Sequence, residues 1–417
     1  MFKLFFSALF VVASLSAPAK GSPDPVEGPH ALKLNREFPR LAAIDYSGKL
    51  GEPGVAERLA RFDLVILGAA EPVPKLTNEI KRQRPDVLIG LYTVLNEARR
   101  TTHTALARER LKKIDDENWW LKDTKGTQLR WTAEFGTWEV NVSEWARPDA
   151  EGKRYPEWAA EFWYRHLFKG ATDIDIWFFD NVFLKQRIKS ADWKGIGQDQ
   201  SGDDPEIKAA FRRAQRLEVD YARKLSPSLV MMGNADNDLG APEYKEMLDG
   251  AQIECIIGQK WSIETRLGWS AMMKYYAQVS ANIRNPHALM FGTCLNDFGN
   301  YKEVRYAFAS ALMGNGFFQI ADQSATYREQ PWFDEFSVRL GKAVDGPFPL
   351  PEVNGGYKRK FERGIVLVNP TAQAVEFDLG KGYRRFLGKQ APEINTGMPV
   401  SSVITIPPRD GIVLVVQ

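Results

Sequence analysis

Two carboxylic acids stand in stretches that otherwise have little use for a charge. In Asp175-Ile176-Trp177-Phe178-Phe179-Asp180-Asn181 an acid closes a strongly apolar run, and in Gln252-Ile253-Glu254-Cys255-Ile256-Ile257 a second sits inside one. Burying an isolated carboxylate is costly, so each needs a partner or a task. Between them, Met231-Met232-Gly233-Asn234-Ala235-Asp236 ends a third apolar run on a neutral amide, Asn234. On successive strands of one parallel sheet, the order acid, amide, acid falls on a single rim. Partial desolvation there gives a carboxyl group a proton affinity suited to acid/base work. Glycoside hydrolysis uses two such groups flanking the scissile bond: one protonates the leaving oxygen, the other attacks or activates water. Asp180 and Glu254 are therefore the candidate catalytic pair.

Other residues are candidates for binding rather than chemistry. Asp45 and Tyr46 close the first apolar run and Tyr92 the third, and with Asn141, Asn181 and Asn234 they offer groups to sugar hydroxyls. Asp45 reads equally well as a structural strand-end carboxylate. Gln259 and Trp261 follow Glu254 in the next loop, an amide and a ring suited to one sugar subsite, and Asp297 and Asp322 end two later runs. The four histidines, His30, His103, His166 and His287, are scattered and form no HxH or HExxH pattern, so no metal is expected. GxSxG is absent, which excludes that serine nucleophile, and no GxGxxG follows the first run, so no cofactor is expected.

The elements that must position these residues alternate. Short apolar runs at 41–46, 64–68, 87–94, 174–180, 229–234, 253–257, 288–293 and 317–321 are separated by longer patterns with apolar residues recurring at three and four, among them 157–169, 205–224, 263–285 and 301–313. Eight βα units predict a closed (β/α)8 barrel, α/β in class, with active-site residues at the carboxyl ends of the strands. Two stretches break the rhythm: an aromatic one from Trp119 to Ser143 and a polar one from Lys185 to Asp204. Both belong to βα loops over the catalytic rim. Beyond the Pro-rich segment Asp345-Gly346-Pro347-Phe348-Pro349-Leu350-Pro351, short alternating runs at 363–369, 374–379, 403–406 and 412–416 predict a small antiparallel β domain over residues 352–417, following a barrel domain over 20–344.

Composition and the first residues bound the setting. With 55 Lys+Arg against 53 Asp+Glu the net charge is only +2, so nothing points to nucleic acid or an anionic membrane surface. Met1-Phe2-Lys3, an apolar run from Leu4 to Leu15 and Ala17-Pro18-Ala19 read as a signal peptide over residues 1–19, which predicts a secreted or periplasmic protein. No later run is long enough to anchor the chain in a membrane, and no cysteine follows the leader to carry a lipid. Cys255 and Cys294 are compatible with a disulfide or with two buried thiols.

Several motifs in order carry a family resemblance. Trp119-Trp120-Leu121-Lys122-Asp123, Val140-Asn141-Val142-Ser143-Glu144-Trp145, Trp177-Phe178-Phe179-Asp180-Asn181-Val182, Gly233-Asn234 and Gly250-Ala251-Gln252-Ile253-Glu254 together resemble glycoside hydrolases of the GHL15 type. More broadly the chain is similar to the GH114-like barrel hydrolases acting on galactosaminidase-class polysaccharides. The resemblance spans residues 40–340, and Gly364-Ile365-Val366-Leu367-Val368-Asn369-Pro370 with Pro407-Pro408-Arg409-Asp410-Gly411 is similar to the β domain that ends many such enzymes. It implies a secreted enzyme that hydrolyses a poly- or oligosaccharide with Asp180 and Glu254 as its pair. The alternative is a noncatalytic polysaccharide-binding or exopolysaccharide-assembly protein on the same fold, and the presence of both carboxyls argues for the enzyme. One departure is local: the usual Asp-Gly before the strand-four acid reads Asp175-Ile176 here.

Overall fold

The computed structural model describes residues 34–417 except 47, 69–72, 236–237, 285–287, 323–326, 328, 353 and 381. The expected leader therefore lies outside the described residues. Eight strands, β1 (Leu41–Asp45), β2 (Leu64–Leu67), β3 (Leu88–Val94), β4 (Ile176–Asp180), β5 (Val230–Asn234), β6 (Gly250–Ile257), β7 (Ala288–Leu295) and β8 (Phe317–Asp322), pair in parallel and close on themselves. The closing contact is Leu41 opposite Phe318, between β1 and β8. These strands are covered on both faces, which is why they read as unbroken apolar runs rather than alternating ones.

One set of side chains fills the barrel and the other faces the helices. Ala42, Ile44, Ile66, Phe178, Met232 and Met290 belong to the inner cluster, with Tyr46 and Tyr92 packed on it. Ala43, Val65, Ile89, Trp177, Met231 and Phe291 belong to the outer layer. Each large side chain so buried contributes about 1.5–3 kcal/mol relative to exposure.

The described helices are α1 (Val55–Leu59), α2 (Val73–Gln83), α3 (Ala105–Asp116), α4 (Tyr155–Trp163), α5 (Pro205–Leu225), α6 (Ile263–Leu267), α7 (Trp269–Ala281) and α8 (Tyr301–Leu312). In α5 the Asp204 side chain accepts from the Glu206 amide, Pro205 fills the first turn, and Phe211, Ala214, Val219 and Ala222 lay one face on the barrel. The pattern over 263–285 is two helices, not one. Gly268 adopts φ of 85° between α6 and α7, a conformation only glycine takes at no cost. The pattern over 157–169 likewise ends as a π-helical turn at Tyr164–Phe168.

After β8, strands β9 (Tyr357–Phe361), β10 (Gly364–Asn369), β11 (Val375–Asp378), β12 (Tyr383–Arg385), β13 (Val403–Ile406) and β14 (Asp410–Val416) form a four-stranded antiparallel sheet in the order β9-β10-β14-β12 and a β11-β13 pair. This unit shares a core with the barrel: Phe361, Val366, Val368 and Val413 lie in the same apolar cluster as Val304, Phe308 and Leu312 of α8. Buried polar contacts join it as well. Arg305 grips Asp410 through two nitrogens at 3.2 and 3.0 Å, and buried Arg359 donates to the carbonyls of Leu312 and Gly314 at the end of α8.

Candidate functional site

Asp180 is the last residue of β4, and the chain turns sharply behind it because Asn181 adopts φ of 63°. Asn is among the few residues that tolerate this region. β5 ends on Asn234, one strand further on. β6 pairs with β5 only as far as Gln252 opposite Asn234. Against β7 its register then slips between Ile253 and Ile257, a bulge with Cys255 at φ of 42°. Bulges re-aim side chains beside functional sites, and this one carries Glu254. Gly292 on β7 makes room, since a Cβ there would lie 2.7 Å from the Ile253 carbonyl. Cys255 and Cys294 form a disulfide across β6 and β7, which settles the alternative the sequence left open.

The two carboxyl groups meet at one amide. Nδ2 of Asn234 donates to Oδ1 of Asp180 at 3.1 Å and to Oε2 of Glu254 at 3.0 Å. Laid end to end, those bonds keep the two oxygens within about 6 Å of each other. The remaining oxygen of each carboxyl accepts from a phenol: Tyr92 to Oδ2 of Asp180 at 2.7 Å, and Tyr327 to Oε1 of Glu254. Gln252 Nε2 donates in turn to the Tyr327 oxygen at 3.0 Å. Tyr46 lies between the two phenols, its ring tilted 4.6 Å from that of Tyr92 and edge-on 5.3 Å from that of Tyr327.

Burial decides the protonation of this cluster. It pushes the Asp180 carboxyl above its ordinary range, and the charge of Glu97 acts in the same direction, while the Tyr92 hydrogen bond opposes them. Tyr46, Tyr92 and Tyr327 are pushed well above the usual phenol value, first by burial and then by the neighbouring carboxylates. The phenols therefore stay protonated as donors.

Of the residues expected from sequence, the structure brings together Tyr46, Tyr92, Asp180, Asn234 and Glu254. Asn181 adjoins them, but its side chain turns away to donate to Oε1 of Glu97 at 2.9 Å. Asp45 is a correction. It alternates with the inward-facing Ile44 and Tyr46, is wholly buried, and holds Arg58 at 3.2 Å in the helix layer rather than facing a substrate. The Asn141 amide donates to the Trp193 carbonyl at 2.9 Å and its oxygen accepts from Ser143, so it braces two long loops on each other. Gln259 and exposed Trp261 lie in the turn after β6, where the Gln259 amide donates to Ser262 Oγ at 2.9 Å. Exposed Asp297 accepts from the Gly299 amide at 2.7 Å ahead of α8, and Asp322 closes β8 opposite Leu295.

Sequence reasoning passed over Tyr327, Gln252 and Glu97. Glu97 follows the apolar strand Leu88–Val94 as an acid in a new loop, the same signal that singled out Asp180. Tyr327 sits in a polar stretch after β8 with no comparable mark. Among the described residues no group of His, Cys, Asp and Glu is arranged to hold a metal ion, and no helix is long and apolar enough to cross a membrane.

A closed parallel barrel with acids, an amide and phenols converging at the strand ends is the architecture of a carbohydrate-active enzyme of the glycoside hydrolase class. Residues 90–365 match the hypothetical glycosyl hydrolase family 15, GHL15, and the chain belongs to that family. No curated protein sequence matches it. Among solved structures it is similar to Amy13B of Eubacterium rectale, at 8% identity and TM-score 0.51, covering 92% of this chain and 96% of that one. It is also similar to an Anoxybacillus α-amylase, at 12% identity and TM-score 0.49, covering 91% and 98%. The glycoside hydrolase domain of PelA from Pseudomonas aeruginosa matches at 14% identity and TM-score 0.41, covering 70% and 97%. At 8% identity the likeness to Amy13B is one of fold.

Proposed function

We propose that this protein is an exported glycoside hydrolase that cleaves O-glycosidic bonds of a poly- or oligosaccharide with Asp180 and Glu254. The observation that carries the reading is the single Asn234 amide bonded to both carboxyl groups. That shared donor keeps the pair close enough for one carboxylate to attack the anomeric carbon while the other protonates the departing oxygen, as in a retaining enzyme. Water, deprotonated by that second carboxyl, then releases the sugar with its anomeric configuration retained. The phenols of Tyr92 and Tyr327 fix the far oxygen of each carboxyl, leaving little freedom to lose on the way to the transition state. Export is supported by the charged start, apolar run and Ala17-Pro18-Ala19 of the leader, and by the Cys255–Cys294 disulfide, since disulfides persist in oxidising compartments.

Purified protein incubated with amino-sugar, uronic-acid and neutral polysaccharides is expected to release products of defined mass, with retention seen in the anomeric proton spectrum. D180N and E254Q are each expected to lose roughly 10²-fold or more in turnover while folding normally. Activity surviving in either variant removes the assignment, and tight binding without turnover by the parent makes the protein a polysaccharide binder. Exported material is expected to begin at Lys20.

A further inference from the structure

We infer that Glu97 is a positioning residue of this site, a third carboxylate that fixes the turn behind Asp180 and places a negative charge beside it; the inference rests on the hydrolytic reading above. Glu97 is buried in a short strand, Glu97–Arg99, that pairs with Thr137–Glu139. Its Oε1 accepts from Nδ2 of Asn181 at 2.9 Å and from the Trp131 indole at 2.7 Å. The carbonyl of Asn181 accepts from Gln215 of α5 at 3.0 Å, so the turn that ends β4 is held on both sides. One carboxylate oxygen thus ties the aromatic loop between β3 and β4 to the residue that follows Asp180.

The charge faces the same way. Among the described residues, Tyr92 of β3, Tyr46 just after β1, Glu254 of β6 and Arg187 of the loop after β4 are the other titratable or charged groups around Asp180. Arg187 acts against Glu97 there, lying 3.7 Å over the Phe183 ring and 4.2 Å over that of Trp131. Asp180 therefore feels an acid and a base with opposite effects, and Glu97 is the one that raises its affinity for a proton.

Two variants separate tether from charge. E97Q keeps an oxygen that accepts from both Asn181 and Trp131 and loses only the charge, whereas E97A loses both. In E97Q the limb of the pH–activity profile set by Asp180 is expected to move to lower pH. A low-pH limb that moves marks Asp180 as the group that must be ionised; a high-pH limb marks it as the proton donor. E97A is expected to lose a further 10-fold or so in kcat, because the turn is no longer held. The ionisation of Asp180 is read without turnover from the infrared carboxyl band, assigned by difference against D180N in each background. That band is expected to titrate at lower pH in E97Q. A band and a profile that stay put overturn the inference, and E97Q, close in shape to the parent, still decides if E97A does not fold. A moving band in a protein that cleaves no glycan supports the role of Glu97 and sinks the hydrolytic reading instead.

Discussion

Asp180 and Glu254 approach each other through a single nitrogen atom, Nδ2 of Asn234, bonded to one at 3.1 Å and to the other at 3.0 Å. Both hydrogens of that amide are committed, so Asn234 spaces the pair and screens two like charges from each other. N234A is expected to lower kcat by roughly 10- to 100-fold with the fold intact. N234D, which sets a third carboxyl between the two, is expected to do more damage at neutral than at acid pH. Steady-state kinetics with circular dichroism as the folding control checks both, and an N234A enzyme with parental kcat refutes the spacing role.

Tyr327 donates a hydrogen bond to Glu254 and accepts one from Gln252. Y327F removes that donor and leaves the Gln252 amide short of an acceptor. The expected result is a fall in kcat of about 10-fold with little change in KM, since the hydroxyl holds the carboxylate rather than the sugar. A change confined to KM would place Tyr327 among the substrate contacts.

Glu139 is wholly buried opposite Glu97; burial, and then the charge of Glu97, push its carboxyl well above the ordinary 4.5. The folded protein therefore keeps a proton that the unfolded chain has released, and stability falls as pH rises from about 4.5 through the raised value. E139Q does not titrate and keeps an oxygen able to accept from Asn96. Its Tm is expected to exceed the parent's increasingly as pH rises across that window and to converge with it below. Parallel Tm curves from acid to mildly alkaline pH would contradict the assignment.

Asp45 and Arg58 are paired outside the barrel lining. D45N is expected to cost about 1–3 kcal/mol of stability, because a buried partner is lost, while kcat per folded molecule stays near the parental value. Denaturant unfolding measures the first and active-site titration the second; a selective loss of kcat would return Asp45 to the site.

The strands were legible because parallel strands buried on both faces are nearly continuous apolar runs, and Asp180, Asn234 and Glu254 stand out against that background. The same property hid Asp45. With both faces apolar, β1 carries no alternation to say that Ile44 points inward and Asp45 outward. Tyr327 was invisible for another reason: it stands in a polar stretch of sequence with no apolar pattern, and nothing in its neighbours' types points to Glu254. The pairing of Glu97 with Glu139 likewise depends on two short strands far apart in the chain. In the helices, the apolar rhythm ran on through Gly268 and masked the break there.

The C-terminal sheet has an unusual dependence on order of synthesis. Its inner strand β14 lies between β10 and β12, is the last of the four in chain order, and packs with β10 on α8. A ribosome therefore delivers the barrel's last helix well before the strand that covers it. Until residues 410–416 emerge, the face of α8 that meets Val366, Val368 and Val413 stays wet, and Arg305 has no Asp410 to grip. The last helix of the barrel and the β14 strand are thus completed as one packing unit, although some hundred residues of chain separate them.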